Sequence, residues 1–265
     1  MNPLIPGIFA ALLYLLGSHL QYRDFRNRRA TQRGRLLLFG IPAVLLHGAT
    51  AYLLAFSTDG LNVGLTSSVA AISFVLSALV LTASFNQPLN NLFILVFPMG
   101  AIGVMLGTLL PPTEPIGAEP EGPLLWHILL SVAAYAVLLL AACQSLVLLL
   151  QERTLRARRN IALLALLPPL QTGEKLLFRW ILWGVLLLTA AIVSGFVFLD
   201  DLFAQRIVHH TVLALASWVA FAVLLVGRYR FGWRGTTATH WTLVGFSLLL
   251  LGYYGSKFVL EVLLA

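Results

Sequence analysis

The chain has 265 residues, of which 59% are hydrophobic and 10% charged, with a formal net charge of +7. Its mean hydropathy is +0.90. A water-soluble domain carries about a quarter charged residues, so this chain cannot cover a water-facing surface and is expected to be an all-α, polytopic integral membrane protein. The positive charge lies in short segments between apolar runs, with no basic helix carrying interleaved aromatics, so anionic lipid is its expected partner and nucleic acid is not. Cys143 is the only cysteine and lies inside an apolar run, which excludes an intramolecular disulfide, a cysteine zinc cluster, a CxxC redox pair and a CxxCH haem-attachment site.

Charge-free windows set the expected spans. The first covers about 4–20; no basic region precedes it and its arginines follow it, the reverse of a cleaved signal peptide, so it reads as a retained span. The second covers 36–57, between Arg35 and Asp59. The uncharged stretch 60–113 is long enough for two spans and is divided by Phe85-Asn86-Gln87-Pro88-Leu89-Asn90-Asn91, giving 66–84 and 91–110. Within the fourth, Gly100, Gly103 and Gly107 offer a close approach to a neighbouring helix. A long fifth span runs over 123–151. A connector over 152–177 follows, in which Arg153, Arg156 and Arg159 with their leucines read equally as an interfacial helix on the inner leaflet or as an ordinary link. Spans at 178–199, 207–227 and 240–260 complete a single eight-span membrane domain over 1–265.

The loops orient these spans. Residues 21–35 hold six arginines, the segment around the 152–177 connector holds six basic residues, and the segment after the seventh span holds Arg228, Arg230 and Arg234. Fifteen of the seventeen basic residues therefore share one side, while Asp59, Glu114, Glu119, Glu121, Asp200, Asp201 and Glu261 lie on the other with Arg206 and Lys257. The positive side is expected to be cytoplasmic, with both termini periplasmic. No phosphate loop, GxSxG elbow, HExxH or intramembrane carboxylate pair is present, so those enzyme classes have no support.

With no Asp, Glu, Lys or Arg deep in any span, the histidines become the functional candidates. His47 lies eleven residues into its span, about 16 Å at helical rise, near mid-membrane. His127 opens the fifth span and begins a polar stripe, His127, Ser131 and Tyr135, at i, i+4, i+8. His209 and His210 open the seventh; adjacent residues diverge by about 100°, and His210 shares a face with Arg206 and Trp218. His19 and His240 read as interfacial polar residues at helix ends. Two histidines, a cation and aromatics at the outer boundary suit an amphiphilic anion such as haem, with His127 and His210 for the iron and Arg206 for a propionate. The rival readings are a scaffold or regulatory subunit whose histidines only bond between helices, and a small-solute permease, for which no internal repeat stands out.

The segment Trp126-His127-Ile128-Leu129-Leu130-Ser131-Val132-Ala133-Ala134-Tyr135-Ala136 resembles the H-x-x-x-S-x-x-x-Y-A span of the CcsA-type cytochrome c assembly proteins. Leu45-Leu46-His47-Gly48 resembles that family's in-membrane histidine. Gly232-Trp233-Arg234-Gly235 and Gly252-Tyr253-Tyr254-Gly255-Ser256-Lys257 resemble its short YpjD-like or HemX-like inner-membrane branch. The resemblance covers nearly the whole chain. It implies a bacterial inner-membrane protein that handles haem in cytochrome c assembly, with haem as cofactor and other inner-membrane assembly proteins as partners. It also implies that His127 matches the first periplasmic histidine and His47 the in-membrane one. The family's Trp-rich loop would fall on Leu199-Asp200-Asp201-Leu202-Phe203-Ala204-Gln205-Arg206, which contains no tryptophan. The other two family histidines have no match either, which argues against complete haem-lyase activity.

Overall fold

A computed structural model of the chain describes residues 2–29, 32–57, 60–110, 122–157, 167–198 and 208–258. Among the described residues the regular elements are helical except for a two-residue antiparallel ladder, Phe56↔Leu61 and Ser57↔Gly60, between the second and third helices. The helices are α1 (Leu4–Arg26), α2 (Arg33–Ala55), α3 (Leu65–Ala83), α4 (Phe93–Leu109, entered through a 3₁₀ turn at Asn90–Leu92), α5 (Gly122–Arg156), α6 (Leu170–Phe198), α7 (Val208–Phe231) and α8 (Gly235–Leu250). Helix α8 continues through a π turn at Leu251–Gly255 into a last helical turn, Ser256–Phe258.

Among the described residues seven helices, α1 to α7, are long and apolar enough to cross a membrane. The expected eighth differs. Its regular α-helical part is only 16 residues, or about 24 Å against a hydrocarbon core of about 30 Å. It reaches spanning length only with the π turn counted in. Helix α6 also departs from expectation, starting at Leu170 directly after Pro168-Pro169 rather than near 178. Lys175, expected in the connector, and Arg179, expected at the start of the span, therefore both ride exposed on its first turns. The expected interfacial helix lies mostly on 158–166, outside the described residues.

The chain groups into two compact units, Met1–Ala118 with Leu150–Leu170, and Glu119–Leu149 with Gln171–Ala265. In the first, α1 packs on α2 and α4, and α3 on α2 and α4, closing a four-helix arrangement. Its centre is filled by Tyr14, Leu76, Phe93 and Phe97, all at most 1% exposed, whereas Leu38 and Leu45 are 68% exposed, as lipid-facing side chains should be. The α3–α4 seam explains the glycine series. A Cβ at Gly107 would lie 2.9 Å from that of Ala70, and one at Gly103 2.6 Å from that of Ser73. Only glycine lets the backbones come this close. The facing serines stay satisfied on their own helix, Ser73 Oγ donating to the Val69 carbonyl at 2.7 Å and Ser77 Oγ to that of Ser73 at 2.8 Å.

The proline inside α4 is compensated by a neighbouring helix. Pro98 has no N–H for the carbonyl of Ile94 four residues earlier, and Ser18 Oγ of α1 donates to that carbonyl at 3.4 Å. At the arginine-rich end Asp24, 5% exposed, pairs with Arg35 at 3.0 Å and ties α1 to α2.

The second unit holds most of α5 with α6, α7 and α8. Helices α7 and α8 are fastened by Ser217 Oγ on the Gly245 carbonyl (2.8 Å), and α6 and α7 by Trp218 Nε1 on Thr189 Oγ1 (2.8 Å). The Gly232-Trp233-Arg234-Gly235 motif is the α7–α8 turn, its glycines at φ 68° and 53° where a Cβ would be strained. Arg228 caps the turn by donating to the Trp233 carbonyl at 3.2 Å while its guanidinium sits 4.5 Å over the Phe178 ring.

Candidate functional site

The polar stripe of α5 opens onto a cavity inside the second unit. Its walls include His127, Ser131 and Tyr135 of α5, Leu188, Ile192 and Phe196 of α6, His210 and Leu215 of α7 and Leu249 of α8. The cavity holds about 80 Å³ and, with its open mouth, about 590 Å³ of space free of protein atoms. Two imidazoles thus face one largely hydrocarbon-walled space from different helices.

Each histidine is held by its surroundings. His127, half-buried, brings Nδ1 to 3.0 Å from Ser194 Oγ of α6, and Ser194 donates its own proton to the Ala191 carbonyl at 2.8 Å. His210 lies in the first turn of α7, its ring 5.7 Å edge-on from Tyr253 in the π turn. His209 is exposed and lines no part of the cavity, in keeping with the angular divergence of neighbouring helical residues. Trp218, on the expected face, is bonded to Thr189 rather than directed into the cavity. Arg206 lies outside the described residues. Lys257 is within electrostatic reach of His210.

The third member of the stripe has a local cause and a local effect. Tyr135, 5% exposed, donates its hydroxyl to the Leu249 carbonyl at 2.8 Å, and the Tyr253 amide faces the same oxygen. Residues 249 and 253 are the i and i+4 partners of an ordinary α-helical bond. A side-chain hydroxyl inserted there widens the turn, and the widened turn is the π segment Leu251–Gly255. Gly252 makes it compact, since a Cβ there would lie 3.1 Å from that of Leu213. Sequence reading placed His127, Ser131 and Tyr135 correctly on one face but missed Ser194 and the π turn; the only local signal for the turn was the helix-poor Gly252-Tyr253-Tyr254-Gly255.

His47 belongs to the first unit and is completely buried. Its Nδ1 is 3.2 Å from the Tyr14 hydroxyl of α1, the rings meet edge-on at 5.7 Å, and Phe74 of α3 flanks the other side at 5.8 Å. Gly48 makes room for Phe74, which a Cβ would meet at 2.7 Å. Nε2 of His47 is buried and closes no hydrogen bond among the described residues. His19 and His240 are exposed. Among the described residues no group of three or more His, Cys, Asp or Glu is placed to hold a bare metal ion.

The resemblance drawn from the motifs extends along the chain. Residues 36–264 match the family described as "Cytochrome C assembly protein". The chain is 28% identical over 260 residues to "Inner membrane protein YpjD" of Escherichia coli (strain K12), covering 97% of this chain and 98% of that protein. It is 33% identical over 213 residues to an "Uncharacterized 28.8 kDa protein in nifR3-like 5'region" of Azospirillum brasilense, covering 77% and 76% of the two chains. It is 27% identical over 255 residues to "Protein HemX" of Brevibacillus brevis, covering 92% of each. No solved structure matches. With seven helices of membrane-crossing length and a near full-length inner-membrane relative, the chain is a multi-pass inner-membrane protein that belongs to the cytochrome C assembly protein family.

Proposed function

We propose that this protein binds haem at its periplasmic side, with His127 and His210 as the residues that would hold its iron, and that it serves haem handling in cytochrome c assembly without being a complete synthase. The observation that carries the reading is the cavity in the second unit, which gathers both histidines among Leu188, Ile192, Leu215 and Leu249. A bare metal ion needs three or four protein ligands. Haem brings four nitrogens of its own and asks the protein for two imidazoles and apolar walls, which is the donor set present here. When bound, it would supply an iron centre whose potential and accessibility those ligands tune. Arg206, as the sequence suggests, and Lys257, within electrostatic reach of His210, would be the propionate contacts. His47 would be an in-membrane ligand or relay position. The eight-span arrangement, with the π-turn helix as the last span and both termini outside, belongs to the same proposal, since it puts the open ends of α5 and α7 on the periplasmic side.

The scaffold reading also has an observation behind it: His127 and His47 each make an interhelical contact, to Ser194 and Tyr14, of the kind worth about 0.6–2 kcal/mol in a membrane protein. A permease has less support, because His47 sits wholly buried among Tyr14, Phe74 and their neighbours rather than on a wet path. Titrating detergent-purified protein with haemin separates the readings. Haem ligation predicts a saturable Soret shift that is lost or strongly weakened in His127→Ala and in His210→Ala. A shift that is absent, or unchanged in both variants, would leave the histidines as interhelical fasteners.

A further inference from the structure

We infer that Ser194 is a positioning residue that fixes the proton of His127 on Nδ1 and thereby presents Nε2 as the ligand atom. The inference rests on the reading of His127 as a ligand, but its geometric core does not depend on haem.

A serine hydroxyl has one proton to donate and lone pairs to accept with. The Ser194 proton goes to the Ala191 carbonyl, at 2.8 Å, and a carbonyl can only accept. With that proton on Ala191, the second contact of Ser194 Oγ, at 3.0 Å to His127 Nδ1, takes the imidazole as donor, and the Ala191 carbonyl is a further acceptor within the reach of His127. A neutral imidazole that donates from Nδ1 carries its lone pair on Nε2. Ser194 is 8% exposed and is not part of the cavity wall, whereas His127 is, so the hydrogen-bonded edge of the ring turns away from the cavity. The helix supplies the geometry at little cost. Ser194 bonds back to its own i−3 carbonyl, which locks its rotamer, and Gly195 beside it lines the cavity with no side chain in the way. Ligand histidines in general have their other nitrogen bonded to an acceptor that sets tautomer and ring orientation, and removing that acceptor typically weakens metal binding about 10–100-fold. Ser194 has the position and the proton balance for that role.

The test uses the full-length protein in detergent, labelled with ¹⁵N-histidine and without haemin, with the His127 signals assigned from their loss in His127→Ala. Long-range ¹H–¹⁵N correlation is expected to show the proton on Nδ1 in the wild type and in Ser194→Thr, and a shift towards the Nε2–H form in Ser194→Ala. Haemin titration of the same samples is expected to show affinity lowered by about tenfold or more in Ser194→Ala and restored in Ser194→Thr. A wild-type proton on Nε2, or a Ser194→Ala protein with unchanged tautomer and unchanged haemin affinity, overturns the inference. Wild-type protein that shows the Nδ1–H form but takes up no haemin leaves the positioning intact and sinks the haem reading instead.

Discussion

Single side chains in this protein are best understood by asking where each buried hydrogen-bonding group finds its partner. Tyr135 is the clearest case, because its hydroxyl sits between the Leu249 carbonyl and the Tyr253 amide and so replaces one rung of the α8 ladder. Replacing it with Phe removes the inserted oxygen. Tyr135→Phe is expected to lower stability by about 1–3 kcal/mol, the cost of leaving a buried backbone group unpaired. Thermal or denaturant unfolding in detergent measures the loss, and a variant as stable as the wild type would show that the hydroxyl does not hold the turn open. The stripe His127, Ser131, Tyr135 was legible because helical periodicity fixes which residues share a face. Ser194 was not, since it stands 67 positions from His127 and nothing in its neighbourhood sets it apart from other small polar residues in spans.

At the scale of whole helices, the positions that departed from expectation have physical reasons. Charge-free windows locate apolar stretches but not helix ends, so α6 was expected to start at 178 although its helical run begins at Leu170, straight after two prolines. The same method gave α8 an ordinary span, whereas its backbone changes hydrogen-bond pattern at Leu251 under the influence of a tyrosine from α5. No local sequence pattern contains that partner. The glycine series of α4, by contrast, was read correctly as a packing surface. Gly103→Ala is expected to destabilise the first unit by about 1–3 kcal/mol, because its Cβ falls on the Ser73 side chain. Gly34, helical, exposed and with nothing within 4 Å of a Cβ, is the control. Gly34→Ala should be neutral or stabilising by up to about 1 kcal/mol. Equal effects at the two positions would refute close packing at the α3–α4 seam.

For the molecule as a whole, composition pointed to the membrane class and the motifs to the family that residues 36–264 match, while the charge distribution proposes the orientation. Impermeant thiol labelling of intact cells, in a Cys143→Ala background, checks that orientation. A cysteine at Asn2 is expected to label and one at Arg230 to stay protected, and the reverse pattern would invert the topology. The central claim is the two-histidine haem site. It is met most directly by electron paramagnetic resonance of the haemin-loaded protein, which reports the axial ligands of ferric iron rather than its mere uptake. The account predicts a low-spin signal of two-imidazole type that disappears in both His127→Ala and His210→Ala. A high-spin signal in the wild type, or a low-spin one that survives in either variant, would contradict it.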